Sequence, residues 1–279
     1  MKQRDSLFSS FILHPLSFFR RYLRLVMIFA GASISVQLEY RMNFVISVLS
    51  SLLTSGGALF GLLILSGDGQ PIGGWSYREA TIVVGVFTLV QGFIGAVLYP
   101  NLNKIAEAVR LGTMDFNLLK PIDTQFLVST RNLNVFRLID ILVGLGLIGW
   151  AALGLEGVTA AGLGLSLALL AAALTIVYAI WFGLTTTAFW FVKVENVTEL
   201  FNGVFRAGQF PVSAFPGWAR VFFTAVVPVA FITTVPAEAL IGRASLGNTL
   251  VAVGLALALV VVSRWFWKRA IGSYTSASS

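Results

Sequence analysis

The sequence contains no cysteine and only one histidine, His14. The absence of cysteine excludes disulfide bonds, thiolate catalysis and cysteine-ligated metals. Because metal centres built from histidine need several imidazoles, a single histidine argues against such centres and against catalytic triads. Charge is also scarce: Asp, Glu, Lys and Arg make up 11% of the chain, whereas a soluble domain carries about a quarter. We therefore predict neither a catalytic site nor a metal site in this chain.

Apolar side chains take the place of the missing charge and account for 57% of the 279 residues. A soluble fold of this length cannot hide so much apolar surface behind so little polar surface. The composition excludes a soluble enzyme and a disordered chain. Because helices satisfy their backbone hydrogen bonds inside a membrane, we predict an all-α integral membrane protein, with residues 1–279 forming a single transmembrane domain.

Six segments are apolar enough to predict transmembrane helices, each of which needs about 20 residues. They cover residues 44–65, 80–99, 135–155, 160–192, 197–210 and 250–267. The fifth segment is the least apolar, because it contains Asn202, Arg206 and Gln209. Polar side chains within spans usually face protein or water. These three residues and Gln91 are therefore candidates for lining a translocation path, although Arg206 could equally extend to the cytoplasmic interface.

Two further apolar segments are not predicted to span the membrane. Residues 22–36 place apolar side chains mainly on one helical face, which predicts an amphipathic interfacial helix within an N-terminal region 1–41. A cleaved signal peptide is the competing interpretation. Residues 221–235 contain Pro228, which interrupts a helix. We expect two half-helices here, forming a re-entrant hairpin within residues 211–244 that protein shields from lipid.

The distribution of basic residues predicts the orientation. There are 19 Lys and Arg against 12 Asp and Glu, a formal charge of +7. With both termini cytoplasmic, all of these basic residues except Arg78, Arg220 and Arg243 fall on the cytoplasmic side, as the positive-inside rule requires. The loop 101–134 and the tail 270–279 are then cytoplasmic, and the hairpin is external. Topology thus accounts for the charge, and we predict no nucleic-acid partner.

The loop 101–134 is long, charged and patterned as a helix, a turn and a short second helix. Gly112 permits the turn, and Pro121 ends the second helix. Met114, Phe116, Leu118 and Leu119 would leave apolar groups exposed unless the membrane or another protein covered them. A solvated loop without a partner is the alternative.

The run from Arg110 to Asp123, RLGTMDFNLLKPID, resembles a loop of bacterial ABC-2-type permeases that reads roughly R-x-G-x-x-D-x-x-L-x-K-P. The segment from Tyr40 to Phe44, YRMNF, at the start of the first span is similar to that family as well. The plan of six spans, an amphipathic helix before the first span and a re-entrant hairpin before the last is also typical of these permeases. The chain is therefore identified as resembling an ABC-2 permease along essentially its whole length.

This resemblance implies the permease subunit of an ABC exporter in the bacterial plasma (inner) membrane. Such permeases pair with an identical or related permease and with a separate ATPase that binds ATP and Mg, so no cofactor is expected in this chain. Membrane lipid is the remaining partner. The family's first internal loop docks on the ATPase, with Met114 and Phe116 expected as apolar anchors. By this resemblance the docking residues are Arg110, Gly112, Met114, Asp115, Phe116, Lys120 and Pro121.

Further features bear on other functions. The chain has no G-x-x-x-x-G-K-[ST] loop, so ATP is not expected to bind it through a Walker motif. Asp140 follows Arg137 by one helical turn, which predicts an ion pair rather than a proton relay. An ion-driven secondary transporter would show inverted repeats and paired intramembrane ionisable residues, and a non-transporting membrane scaffold would have no ATPase partner. Glycines in apolar runs, such as Gly144, Gly146 and Gly149, are expected to allow close helix packing.

Overall fold

The computed structural model describes residues 15–67, 69–191 and 195–274. Those residues form α-helices joined by short 3₁₀ and π segments and by turns. The α-helices are α1 (Pro15–Gln37), α2 (Arg41–Ser66), α3 (Tyr77–Phe93), α4 (Tyr99–Arg110), α5 (Asp115–Leu118), α6 (Thr124–Thr130), α7 (Leu138–Ala152), α8 (Ala160–Thr186), α9 (Glu195–Phe205), α10 (Gly217–Val221), α11 (Val235–Leu240) and α12 (Leu246–Ser273). His14 and the end of the predicted tail, 275–279, lie outside the described residues.

Five helical stretches in the described part of the chain are long and apolar enough to cross a membrane. They are Met42–Ser66, Tyr77–Arg110, Val135–Ala152, Ala160–Phe189 and Leu246–Ser273. Each corresponds to one predicted span, with ends that differ by a few residues or extend beyond the apolar run. The second is the longest because a π segment, Ile94–Leu98, joins α3 to α4 without breaking the helix. The all-α membrane fold is therefore confirmed.

The predicted span 197–210 is not a full-length transmembrane helix. Helix α9 has 11 residues, or roughly 16 Å of helix against a hydrocarbon core of about 30 Å. A 3₁₀ turn, Arg206–Gln209, continues it, and Phe210 then adopts an extended conformation. Gly208 in this turn is closely packed, since a Cβ there would lie 2.7 Å from a methyl carbon of Val229. Packing against the following hairpin thus replaces the second half of a regular span.

Contacts at the two ends of the helix bundle nevertheless show that this segment runs from one end of the bundle to the other. The hydroxyl of Tyr99 donates to Glu199 at 3.0 Å at one end of the bundle. At the other end a Cβ on Gly73 would lie 2.7 Å from the backbone of Ser213 and of Ala214. The chain therefore passes from one end of the bundle to the other between residues 199 and 213. A short helix, a 3₁₀ turn and extended chain together make this passage.

The two ends of the bundle differ in charge. We call one the basic end; it contains the loop 101–134, the beginning of α2 and the last turns of α12. Its described basic residues are Arg20, Arg21, Arg24, Lys104, Arg110, Lys120, Arg131, Arg137, Arg264, Lys268 and Arg269. The opposite end contains the loop 67–76 and carries Arg78, Arg220 and Arg243. The separation of charge that the sequence predicts is thus present in the fold.

Helix α1 lies across the basic end instead of running along the bundle. Near its start, Arg21 donates to the carbonyl oxygen of Pro121 at 3.3 Å. Near its end, Gln37 donates to the carbonyl oxygen of Leu133 and accepts from the backbone N–H of Val135 at 2.9 Å. Both ends of a 23-residue helix therefore contact the same loop. This is the position expected of an interfacial helix, and α1 is not among the span-capable helices.

The hairpin before α12 is re-entrant, as predicted. Its halves, Gly217–Val226 and Ala230–Leu240, are bent by 78° at the break that contains Pro228. Both outer ends are held at the opposite end of the bundle. Arg220 donates to the carbonyl oxygen of Ser213 at 2.7 Å, and Arg243 donates to Gly74 at 3.1 Å and to Glu79 at 2.6 Å. The second half is buried, so protein covers the broken backbone.

Helices α3 and α7 pack at very short range because small residues face each other. A Cβ on Gly85 would lie 2.7 Å from Ile148, and a Cβ on Gly144 would lie 2.6 Å from the carbonyl oxygen of Gly85. Close packing is thus confirmed for Gly144. Gly146 and Gly149 have open space at the Cβ position, so no described residue of this chain packs closely against them.

Candidate functional site

The loop at the basic end is a compact helical hairpin with both of its ends fixed to the bundle. The amide of Asn101, which is 1% exposed, donates to the carbonyl oxygen of Asn132 at 2.6 Å. In return the Asn101 side-chain oxygen accepts from the backbone N–H of Asn132 at 2.8 Å. Lys104 also donates to the side chain of Asn132 at 3.1 Å. These bonds join residues 28 or 31 positions apart, so they fasten the end of the loop to α4.

The tip of the loop projects apolar side chains outward. Helix α4 ends at Arg110, and Gly112 reverses the chain with a φ of +70°, a conformation that glycine adopts without strain. Leu111 is 59% exposed, Phe116 69% and Leu119 81%. The polar members of the predicted docking set, Arg110, Lys120 and the neighbouring Pro121, are exposed beside them. A groove of about 500 Å³ runs between the tip and α6.

Met114 is buried, although the sequence predicts an exposed apolar group at this position. Its side chain is 0% exposed and belongs to the main apolar core. Its backbone N–H donates to the carbonyl oxygen of Ala108 at 3.2 Å, which closes the turn. The expectation that Met114 is exposed is therefore wrong, because the residue fastens the tip to the loop; its role as an anchor for a partner stays a prediction. The sequence analysis missed the exposed Leu111, and it left Leu119, which it expected to be exposed, out of the docking set.

Asp115 connects the tip to the end of the last span. Its carboxylate lies close to the phenol of Tyr274, the residue that follows α12. Desolvation raises the pKa of the Tyr274 phenol above its ordinary value of 10.0, and the negative charge of Asp115 raises it further. Asp115 is thus oriented toward the protein as well as toward solvent.

A polar network connects the second half of the loop to α8 and α12. Arg264 of α12 makes a two-pronged ion pair with Asp123 and donates to Gln125 at 3.0 Å. Gln125 donates to the hydroxyl of Tyr178 on α8 at 3.2 Å, and Ser129 lies 3.0 Å from the same hydroxyl. The network therefore links two spans to α6 through charged and neutral hydrogen bonds.

Asp123 has two structural tasks in this network. It caps α6 by accepting from the backbone N–H of Phe126 at 3.0 Å, and it pairs with Arg264. Partial burial by itself would raise the pKa of the Asp123 carboxyl. The hydrogen bond and charge of Arg264, together with the backbone donors, outweigh this effect and lower the pKa below its ordinary value of 3.8. The carboxylate is therefore ionised at neutral pH.

A second feature is a polar cavity of about 570 Å³ between α2, α3, α7 and the α9 segment, which is α9 together with the 3₁₀ turn Arg206–Gln209. It brings together all four residues that the sequence marks as candidates for a translocation path: Gln91, Asn202, Arg206 and Gln209. The cavity is further lined by Ser50, Ser51, Thr54, Ser55, Phe87, Thr88, Ile94, Gly95, Tyr99, Asn134, Arg137 and Asp140. Arg206 lines this cavity in the structure, whereas its extension to the interface was the alternative.

The ion pair predicted between Arg137 and Asp140 is present in the cavity wall, with 3.4 Å between Nη1 and Oδ2. Asp140 is only 7% exposed. The alkyl part of Arg137 lies against Gly95 of the π segment, where a Cβ would be 3.0 Å from it. A π segment in a long helix is frequently found at functional sites.

The hydroxyl groups of α2 that line the cavity were missed in the sequence. Ser50, Ser51, Thr54 and Ser55 occur at positions i, i+1, i+4 and i+5, which lie on one face of a helix. That spacing is a signal that the sequence does offer. The Tyr178 and Arg264 network offers none, because its partners are 53 and 139 to 141 positions apart.

Comparison with known proteins agrees with this architecture. A family model described as "ABC-2 family transporter protein" matches residues 52–278. This range includes the loop tip, the network, the hairpin and nearly all of the cavity lining. No curated protein matches the chain. Because the match covers most of the sequence, the chain belongs to the ABC-2 family of transporter proteins.

Proposed function

We propose that the chain is the permease subunit of an ABC exporter, driven by a separate ATPase that binds ATP and Mg. In this proposal it forms the translocation path with a second, identical or related permease in the bacterial plasma (inner) membrane, and both termini are cytoplasmic. The basic end then faces the cytoplasm, in agreement with the positive-inside rule. The observation that carries the proposal is the exposed apolar tip on a loop that is otherwise rigidly attached.

The tip has the character of a docking site. Leu119 and Phe116 are among the most exposed large apolar side chains of the chain and lie outside the spans, where lipid does not cover them. Protein interfaces place aromatic anchors at the centre and polar groups at the rim. Here the basic groups Arg110 and Lys120 surround the apolar residues. The ATPase would cover the apolar groups and meet this positive rim with acidic residues.

The network around Tyr178 supplies a route by which movement of the loop reaches the spans. Docking alone transmits nothing unless the loop is connected to elements that can shift. Asp123 and Gln125 connect α6 to α12 through Arg264, and Ser129 connects it to α8 through Tyr178. We infer that ATP binding in the partner shifts an equilibrium between inward-open and outward-open permease pairs through these contacts.

The outer face of α2 is suited to lipid or to the second permease. Leu53 is 75% exposed and Phe60 62%. Gly56 and Gly57 on the same helix have open space at their Cβ positions, and small residues permit close approach of another helix.

The proposal is tested by purifying the chain from its native membrane in mild detergent and identifying bound proteins by mass spectrometry. We expect a Walker-motif ATPase in fixed proportion to the permease, with ATP hydrolysis that the permease stimulates. An ion-driven secondary transporter would transport in response to an ion gradient without such a partner. A scaffold would show neither partner nor transport. Recovery of the intact chain without an ATPase under several mild conditions would contradict the proposal.

A further inference from the structure

The cavity wall holds an arginine whose charge no acidic side chain balances. None of the ion pairs among the described residues includes Arg206. The other cation of the wall, Arg137, is paired with Asp140 at 3.4 Å. Glu199, one element away, accepts from the hydroxyl of Tyr99 at 3.0 Å. The net charge of the described cavity lining is therefore the positive charge of Arg206.

Arg206 lies further along the bundle than Tyr99, and its exposed side chain lines the cavity. It follows Glu199 by seven residues, so that two helical turns, or roughly 10 Å, separate it from the level of Tyr99. Gln91 on α3 precedes Tyr99 by eight residues and lines the same cavity. Ionisable groups within a membrane-spanning bundle are costly unless they pair or face water, and they mark ligand pathways.

Two buried hydroxyl groups beside the cavity lack hydrogen-bond partners. Ser51 is 3% exposed and Ser55 is 5% exposed, and neither side-chain oxygen has a partner. Most buried serines bond to a carbonyl oxygen of the preceding helical turn or to another group, so two adjacent exceptions call for an explanation. Both residues belong to the cavity lining. Both oxygens have almost no accessible surface, and rotation about the Cα–Cβ bond would be needed to turn them into the cavity, where a ligand with several acceptor oxygens would satisfy them.

From these observations we propose that the cavity binds the oxyanionic headgroup of an amphiphile, such as a phosphate ester, and that this chemical class is what the permease exports. Arg206 supplies the charge, and Ser51 and Ser55 donate to the headgroup oxygens. The apolar chain of the ligand would lie along the outer face of α2, where Leu49 and Leu52 are 55% and 54% exposed. A soluble anion would gain nothing from that face. The export of this chemical class rests on the proposed function, whereas binding of the headgroup in the cavity does not.

The binding site is tested on the purified permease alone, in phosphatidylcholine nanodiscs, by equilibrium binding of radiolabelled dodecyl phosphate. We expect saturable binding that exceeds the binding to empty nanodiscs. Inorganic phosphate, dodecyl maltoside and dodecyltrimethylammonium should compete at least about tenfold more weakly, because each lacks the chain or the negative charge. Equal competition by the neutral or cationic amphiphile would overturn the proposal, as would equal competition by inorganic phosphate.

Variants assign the binding to the cavity. Arg206→Gln should weaken binding at least about tenfold, since hydrogen bonds to charged groups carry about 1.5–3 kcal/mol. Arg206→Lys should remain within about threefold of the unchanged protein, which separates loss of charge from loss of fold. The double variant Ser51→Ala, Ser55→Ala should weaken binding about threefold or more. Arg269→Gln, which removes an exposed positive charge outside the cavity, is the matched control and should have no effect. An unchanged affinity of the Arg206→Gln variant for dodecyl phosphate would overturn the assignment of binding to this cavity.

The substrate role is tested by adding the ATPase and ATP. Hydrolysis should release bound dodecyl phosphate or lower its affinity, because an exported ligand must leave the site once per cycle. Undiminished binding during turnover would overturn the substrate role and would identify the occupant as a resident lipid. If no ATPase associates with the permease, the proposed function fails. The nanodisc measurement still decides whether the cavity binds the oxyanionic headgroup.

Discussion

Replacing Phe116 with alanine should weaken attachment of the ATPase without unfolding the permease. Phe116 is 69% exposed, and a phenylalanine that becomes fully buried removes roughly 150–250 Å² from water. Covering the exposed part would then bury roughly 140 Å², which at about 25 cal/mol per Å² contributes roughly 3 kcal/mol. Ordering of the side chain reduces this gain, and a loss of about 2 kcal/mol is typical of such an anchor. The dissociation constant should therefore rise by roughly 30-fold.

The assay is surface-immobilised permease in nanodiscs titrated with its purified ATPase. Trp218→Ala is the matched control, because it removes an aromatic ring that is 78% exposed at the opposite end of the bundle, far from the loop. Melting temperatures of both variants should equal that of the unchanged permease, since neither ring is in the core. An affinity that is unchanged in Phe116→Ala, or reduced equally in both variants, would refute the assignment of the tip as the docking element.

Three further predictions concern packing, charge and orientation. Gly144→Ala should lower the free energy of unfolding by about 1–3 kcal/mol through overpacking, whereas Gly146→Ala, which adds a methyl group to open space, should leave the melting temperature in detergent unchanged. Because the pKa of Asp123 is lowered in the fold, its contribution to the free energy of unfolding is present above pH 3.8 and is lost as the pH falls through and below that value. Asp123→Asn should remove this part of the pH dependence, which amounts to about 0.2–1 kcal/mol for a partly exposed pair. A pH profile of unfolding that is identical in the variant and the unchanged protein would contradict the reasoning. In this cysteine-free chain, Arg269→Cys, at an exposed position of the basic end outside the docking set, should react with an impermeant maleimide only after the cells are opened. Trp218→Cys should react in intact cells, and the reverse labelling pattern would contradict the proposed topology.

Hydropathy was sufficient to locate most of the membrane-spanning helices. Long apolar runs such as 44–65 have few alternatives to a spanning helix, because lipid offers the backbone no hydrogen bonds. Pro228 gave the position of the hairpin break for an equally local reason. Properties that depend on a segment's own composition were thus accessible from the sequence.

Two local differences from the sequence-based expectations arose where distant residues decide the outcome. The segment 197–210 reads as a weak span, but Gly208 packs against Val229 and the helix gives way to a 3₁₀ turn. Met114 reads as an exposed apolar group in a charged loop, yet it turns inward and joins the core. No local periodicity distinguishes a residue that faces a partner from one that faces its own fold.

The cavity shows an intermediate case. Its four polar residues on α3 and the α9 segment were selected because each is unusual in an apolar run. Their convergence on one cavity depends on how the helices pack, and Ser51 and Ser55 were passed over because serine is common in spans. The hydroxyl face of α2 becomes meaningful only when Arg206 is placed opposite it.

The central claim is that the exposed tip of the cytoplasmic loop contacts an ATPase, and site-specific photo-crosslinking tests it most directly. A photoreactive phenylalanine analogue is placed at Leu119, which is 81% exposed, and at Trp218, which is 78% exposed at the opposite end of the bundle. After irradiation of living cells, the analogue at Leu119 should crosslink to a Walker-motif protein, and the analogue at Trp218 should not. A stable complex with the ATPase that yields no crosslink from position 119, or equal crosslinks from both positions, would contradict the account.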